Sequence, residues 1–301
     1  MRLNVPSLLP LLLSLLVWAC QPVLERQEVP VMAGISIENN CDTLNFIRDL
    51  DLYHEYGLSG WMIEIPFQLH PLSPQSSFKY YETHELDTLL PILRKHQLPY
   101  SLAFTVENPR NVPLAQASID PYFTDISGML LRCMKARYFP RYLIFMGELC
   151  KPAFSKGKLP AFLAQVKQEF KGFEGEIVLA ATPAEWLDSD YLWPLAEVVG
   201  ICYREPPELE YKPYFMRINR QLSQKLIQYQ KPALIVQTNL VGGRKLLLFK
   251  NQLRFWDEQT ELRGIVLNSL YCEFPLADQH THFGLAGEQE FKQYLKRYTA
   301  K

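Results

Sequence analysis

The stretch YLIFMGELC, residues 142–150, is apolar without alternation until Gly147 and Glu148, and apolar again after them. A strand with one wet face alternates apolar and polar residues. Continuous apolarity instead marks a strand buried on both faces, as in a parallel sheet covered by helices. Runs of the same kind recur as VMAGISIE (31–38), GWMIEIPFQL (60–69), PYSLAFTVE (99–107), GEIVLAATPAEW (175–186), EVVGICYREP (197–206), PALIVQTNL (232–240) and LRGIVLNSLYCEF (262–274).

Segments of helical period stand between the runs. TLNFIRDLDLYHEYG (43–57) has Asp42 as a candidate N-cap and Gly57 as a stop. THELDTLLPILRKHQ (83–97) carries Pro91, which predicts a kink or a late start. After the third run comes DPYFTDISGMLLRCMKAR (120–137). After the fourth, a helix puts Leu159, Phe162, Leu163, Val166 and Phe170 on one face. DYLWPLA (190–196), KPYFMRINRQLSQKLIQYQ (212–230), GGRKLLLFKNQLRFWDE (242–258) and GEQEFKQYLKRY (287–298) follow the remaining runs. Eight strand–helix units in about the ~250 residues usual for the architecture predict an α/β fold, a (β/α)8 TIM barrel, as one domain over 31–301. A doubly wound open sheet is the rival, but its Gly-rich phosphate turn does not follow the first run.

Composition narrows the function. The chain has 301 residues, 48% hydrophobic, and a formal net charge of -1. No basic stripe is present, so nucleic acid is not an expected partner. Residues 1–20 begin Met1-Arg2 and continue through an apolar stretch to Ala19-Cys20, the proportions of a signal peptide. Cysteine after a small residue resembles the lipobox of bacterial lipoproteins. It makes Cys20 the expected lipidation site and 21–30 a tether, so that an exported chain meets a membrane through its anchor. None of the six cysteines forms a C-x-x-C pair or a zinc-finger spacing with His, so neither a metal nor a cofactor is expected. Cys150, Cys202 and Cys272 end apolar runs and read as small core residues.

Function in such barrels sits at the C-terminal strand ends. Here those ends carry Glu38, Glu64, Glu107, Glu148, Glu185, Tyr203 with Glu205, Asn239, and Tyr271 with Glu273. Glu148 stands out because Ile144, Met146 and Glu148 share one side of the fourth run, with Leu149 and Cys150 beyond. A carboxyl enclosed by apolar neighbours keeps its proton to higher pH, which suits a general acid near neutrality. The bland alternative is a salt bridge to Arg or Lys at the mouth. Phe67, Trp186, Tyr203 and Tyr271 lie near the same ends, where aromatic faces either stack on sugars or fill the rim. The turn Gly242-Gly243-Arg244-Lys245 opens a helix whose backbone donors suit an anionic group or plain solvent.

A glutamate closing strand four resembles the clan A glycoside hydrolases. Within that clan the chain is most similar to glycoside hydrolase family 113, the β-mannanase-like group. The similarity lies in GISI, GLSGWMIEIPFQ, YYETHELDTLLPILRKHQL, FMGEL and VVGICYREP, and covers most of 33–298. The resemblance implies a glycan substrate or ligand and makes Glu148 the acid/base. Two positions depart from it. The clan usually places Asn or Thr before the acid/base, where Gly147 stands. Its nucleophile is a Glu ending strand seven, where this chain has Gln237, Thr238 and Asn239. An amide cannot form the covalent glycosyl intermediate. Glu273 on strand eight is the first candidate for the second carboxylate. Otherwise a substrate acetamido group held by Asn239 attacks, or the barrel binds glycans without cleaving them. Glu64 and Glu107 complete the expected substrate contacts.

The leader carries its own test. Cys20→Ala is expected to move the protein from the membrane fraction to the soluble fraction and to remove lipid mass from the mature N-terminus; unchanged fractionation would exclude the anchor.

Overall fold

The computed structural model describes residues 29–36, 50, 56–68, 84–108, 120–152, 156–170, 172–203, 213–238, 245–259, 261–267 and 289–299. Eight strands run in chain order: β1 (Val31–Ser36), β2 (Gly60–Gln68), β3 (Tyr100–Glu107), β4 (Tyr142–Gly147), β5 (Glu176–Ala181), β6 (Val198–Cys202), β7 (Ala233–Gln237) and β8 (Leu262–Leu267). Each pairs in parallel with the next, and β1 pairs with β8, so the sheet closes on itself. The expected (β/α)8 barrel is the observed one.

Alternating side chains divide the core in two. Met32, Met62, Ala103, Ile144, Val178, Leu234 and Val266 fill the barrel interior. Their neighbours one residue along, such as Ile63, Leu102, Leu143, Leu179 and Ile265, pack outward under the helices. Both faces of each strand are therefore apolar, which is why the runs lack alternation. Tyr142 is wholly buried at the lower end, with the Arg141 guanidinium 5.1 Å from its ring centre.

The helices described are α1 (His84–Lys95), α2 (Asp120–Ala136), α3 (Lys158–Glu169), α4 (Pro183–Leu187), α5 (Pro213–Tyr229), α6 (Lys245–Gln259) and α7 (Gln289–Thr299). Among them none is long and apolar enough to cross a membrane. α3 buries Leu159, Phe162, Leu163 and Val166, with Phe170 at its C-cap, as its spacing predicts. The N-cap assignment at Asp42 lies outside the described residues.

Three local expectations are corrected. The run 175–186 is not all strand: β5 ends at Ala181, and Thr182 caps α4, its side chain accepting from the Glu185 amide while Glu185 reaches back. That capping box, followed by Pro183 at the first helical position, starts a helix inside an apolar sequence. Residues 190–196, expected as a helix, form turns, with Leu192 bonded to Ser189 and Leu195 to Leu192. Of the kink or late start expected at Pro91, the late start does not occur, since α1 begins at His84. The proline removes one backbone bond at a cost of about 3 kcal/mol. The buried Leu86, Leu89, Leu90 and Leu93 outweigh that, at roughly 1.5–3 kcal/mol each.

Pro91 is itself exposed. Pro91→Ala is expected to restore the helix bond and raise stability by roughly 1–2 kcal/mol, less than the full helix penalty because proline also restricts the unfolded chain. A urea midpoint that does not rise would show that α1 has already relaxed around the ring.

Candidate active site

Strand parity decides which residues reach the barrel mouth. On β2, Met62 faces inward, so Glu64 does too; on β3, Ala103 faces inward and is followed by Thr105 and Glu107. Thr105, buried, donates a 2.8 Å hydrogen bond to Oε1 of the half-buried Glu64. Sequence inspection missed Thr105, although its parity with Ala103 was readable. Glu107 is exposed at the tip of β3.

Glu148 does not extend β4. It opens a 3₁₀ turn, Glu148–Cys150, after Gly147 adopts φ 71°, ψ −134°. That region is essentially restricted to glycine. A Cβ on Gly147 would lie 2.3 Å from the Val106 carbonyl oxygen, so the elbow also needs the missing side chain for space. The departure from Asn or Thr thus has a local cause in this chain's own backbone. Leu149 and Cys150 turn into the core, while Glu148 remains partly exposed rather than enclosed. The apolar enclosure expected from its neighbours is therefore only partial. Among the described residues no Arg or Lys forms an ion pair with Glu148 or Glu107; the nearby Lys151 donates to Glu185 Oε1 at 2.6 Å instead.

Glu185 is fixed in structure rather than chemistry. Its other oxygen accepts from the Thr182 backbone N–H and hydroxyl, both at 2.9 Å. β7 closes with the partly buried Gln237 and fully buried Thr238, whose carbonyl accepts from Gln252 Nε2 at 3.3 Å. Glu38, Glu205, Asn239, Tyr271, Cys272, Glu273, the turn 242–244 and Cys20 lie outside the described residues.

Three of the aromatic residues that could either stack on sugar or fill the rim are buried in packing, which corrects their placing as sugar contacts. Phe67 is 1% exposed and packs on Phe104 and Tyr122 outside the barrel. Tyr203 shares its face with Val199 and Ile201, and its hydroxyl accepts a 2.6 Å hydrogen bond from Trp256 Nε1. Trp186 is fully buried, donates to the Gly200 carbonyl at 2.8 Å and meets Trp193 edge-on. In each case the apolar ring follows the outward face of a two-faced sheet or the underside of α4. No stacking platform is formed by these three.

The cysteines described, Cys133, Cys150 and Cys202, are buried free thiols. Burial pushes the Cys133 thiol up to about 11. Among the described residues no cluster of His, Cys, Asp and Glu is arranged to hold a metal ion.

Solved structures share the barrel fold. A glycoside hydrolase family 113 β-1,4-mannanase, solved as a complex, superposes with a TM-score of 0.62 over 91% of this chain and 99% of its own, at 11% identity. The barrel has the fold of a mannanase. A second structure of a family 113 β-1,4-mannanase gives a TM-score of 0.61 at 11% identity over 92% of this chain and 100% of that one. A family 99 endo-α-mannosidase from Bacteriodes thetaiotaomicron gives 0.56 at 9% identity, covering 90% of this chain and 96% of its own. At such identities the fold is what is shared. No protein-family model matches the chain, and no curated protein matches it by sequence.

Gly147→Ala tests the elbow. Left-handed strain and the contact with Val106 together are expected to lower stability by roughly 2–4 kcal/mol, measured by urea denaturation. A loss below about 0.5 kcal/mol would mean that the elbow relaxes without cost.

Proposed function

We propose that this chain is an exported, lipid-anchored glycosidase-type barrel that acts on a polysaccharide or oligosaccharide, with Glu148 as the acid that protonates the leaving oxygen. The observation that carries the reading is Glu148 itself: a carboxyl just past the tip of β4, mounted on a glycine elbow, partly exposed and with no cation bonded to it among the described residues. A surface salt bridge would account for a strand-end glutamate without chemistry, and Lys151, the nearest such cation in sequence, is engaged by Glu185. The fold shared with mannanases and an endo-α-mannosidase supports a glycan as the ligand. Export and anchoring rest on the leader and Cys20.

One observation favours a second reading, a glycan-binding or envelope scaffold protein without catalysis. β7 ends in Gln237 and Thr238, and neither can serve as a carboxylate nucleophile. Neither Trp186 nor Tyr203 offers a free face for a sugar, however, which weakens a binding role built on aromatic stacking.

The two readings separate in one experiment. The purified protein is incubated with α- and β-linked manno-oligosaccharides and other glycans, and new reducing ends are measured. Weak or no hydrolysis of β-1,4-mannan is expected, with cleavage of another glycan from the panel. Glu148→Gln is expected to lower kcat/KM by about 10²–10⁴-fold while leaving the thermal midpoint unchanged. Cleavage that survives this substitution would remove Glu148 from the chemistry. Calorimetric binding without turnover would select the scaffold reading.

A further inference from the structure

We propose that Glu107 is the second carboxyl of this site, the nucleophile that β7 does not supply. The proposal rests on the reading of Glu148 as the acid. The upper ends of β2, β3 and β4 are in register: Gln68 stands beside Glu107, and Val106 beside Gly147. One residue past that last pair, Glu107 closes β3 and Glu148 opens the 3₁₀ turn that follows β4. The close approach of Gly147 to the Val106 carbonyl presses the elbow onto the end of β3, and the 3₁₀ turn carrying Glu148 packs against β3.

Adjacency suits the role. Neighbouring strands lie about 4.7–4.9 Å apart. Carboxyls carried at the ends of two neighbouring strands can approach to the about 5–5.5 Å that a retaining pair needs, shorter than the roughly 6.5–9.5 Å of an inverting pair. Glu107 shares parity with Ala103 and Thr105, which places it on the mouth side of β3. It is exposed, and no cation bonds to it among the described residues. Glu64 is a poorer nucleophile candidate, since it sits opposite Ala103, four residues lower on β3, and accepts from Thr105. That placement suits holding a sugar hydroxyl.

In the first step a Glu107 oxygen attacks the anomeric carbon. The bond to the leaving oxygen breaks, and that oxygen takes the proton of Glu148. A glycosyl ester of Glu107 results. In the second step ionised Glu148 takes a proton from water, whose oxygen attacks the same carbon and releases Glu107 as carboxylate. Both protonation states are restored, and the anomeric configuration is retained.

The test uses the full mature chain and 4-nitrophenyl α- and β-mannosides together with the oligosaccharide panel. Glu107→Ala is expected to lower kcat/KM on the order of 10⁴-fold. Added azide is expected to restore turnover, giving a glycosyl azide of inverted configuration. A merely structural loss would not respond to azide. Azide rescue of Glu273→Ala but not of Glu107→Ala would overturn the assignment and leave the glycosidase reading intact. So would wild-type cleavage with inversion, or a crystal structure with the two carboxyls more than about 6.5 Å apart. Wild type that cleaves nothing in the panel would overturn both.

Discussion

Closure of the sheet governs everything else in this molecule. Once β1 bonds to β8, no strand has a free edge, and each strand lies between a packed interior and a layer of helices. Polar side chains then have few places to go, because an unpaired polar group buried in either layer would cost roughly 1–3 kcal/mol. They collect at the strand ends. Glu64, Thr105, Glu107 and Glu148 are the described examples on β2, β3 and β4, and Thr105 and Glu64 satisfy each other. The gathering of polar side chains at strand ends is a consequence of apolarity everywhere else.

The same constraint explains what could be read from the chain. Eight continuous apolar runs imply a covered parallel sheet, whose strands have no wet face, and each observed strand lies inside one of the runs. Glu148 was legible for the same reason, as a charge interrupting such a run. What misled was proximity to a strand end without regard to parity. Phe67 and Tyr203 share faces with Ile65 and Ile201, both outward, and so belong under the helices. Trp186 misled differently, because a capping box at Thr182 and Glu185 converts the tail of a strand-like run into a helix that tucks the indole inward. The elbow at Gly147 depends on a backbone conformation and on the position of a neighbouring carbonyl. Neither is written in local residue pattern.

The functional picture combines two kinds of support of different reach. Likeness to mannanases and an endo-α-mannosidase extends over about nine-tenths of the chain and concerns its fold. At the mouth, the end of β4 carries a carboxyl that no cation clamps among the described residues, and β7 ends in an amide. A barrel can keep its shape while the position of a catalytic partner moves between strands, because all eight strand ends converge on one opening. Fold and mechanism are separable here.

Adjacent residues at the elbow answer to different evolutionary pressures. Every amino acid except glycine brings a Cβ into the Val106 carbonyl, so a change at position 147 costs stability in any descendant that keeps this elbow. Position 148 has no such architectural duty, since its carboxyl secures no neighbour among the described residues. In a lineage that kept the barrel but abandoned catalysis, glycine would persist while the residue after it diversified. The two positions therefore form a paired record, the first of folding and the second of the chemistry proposed for Glu148.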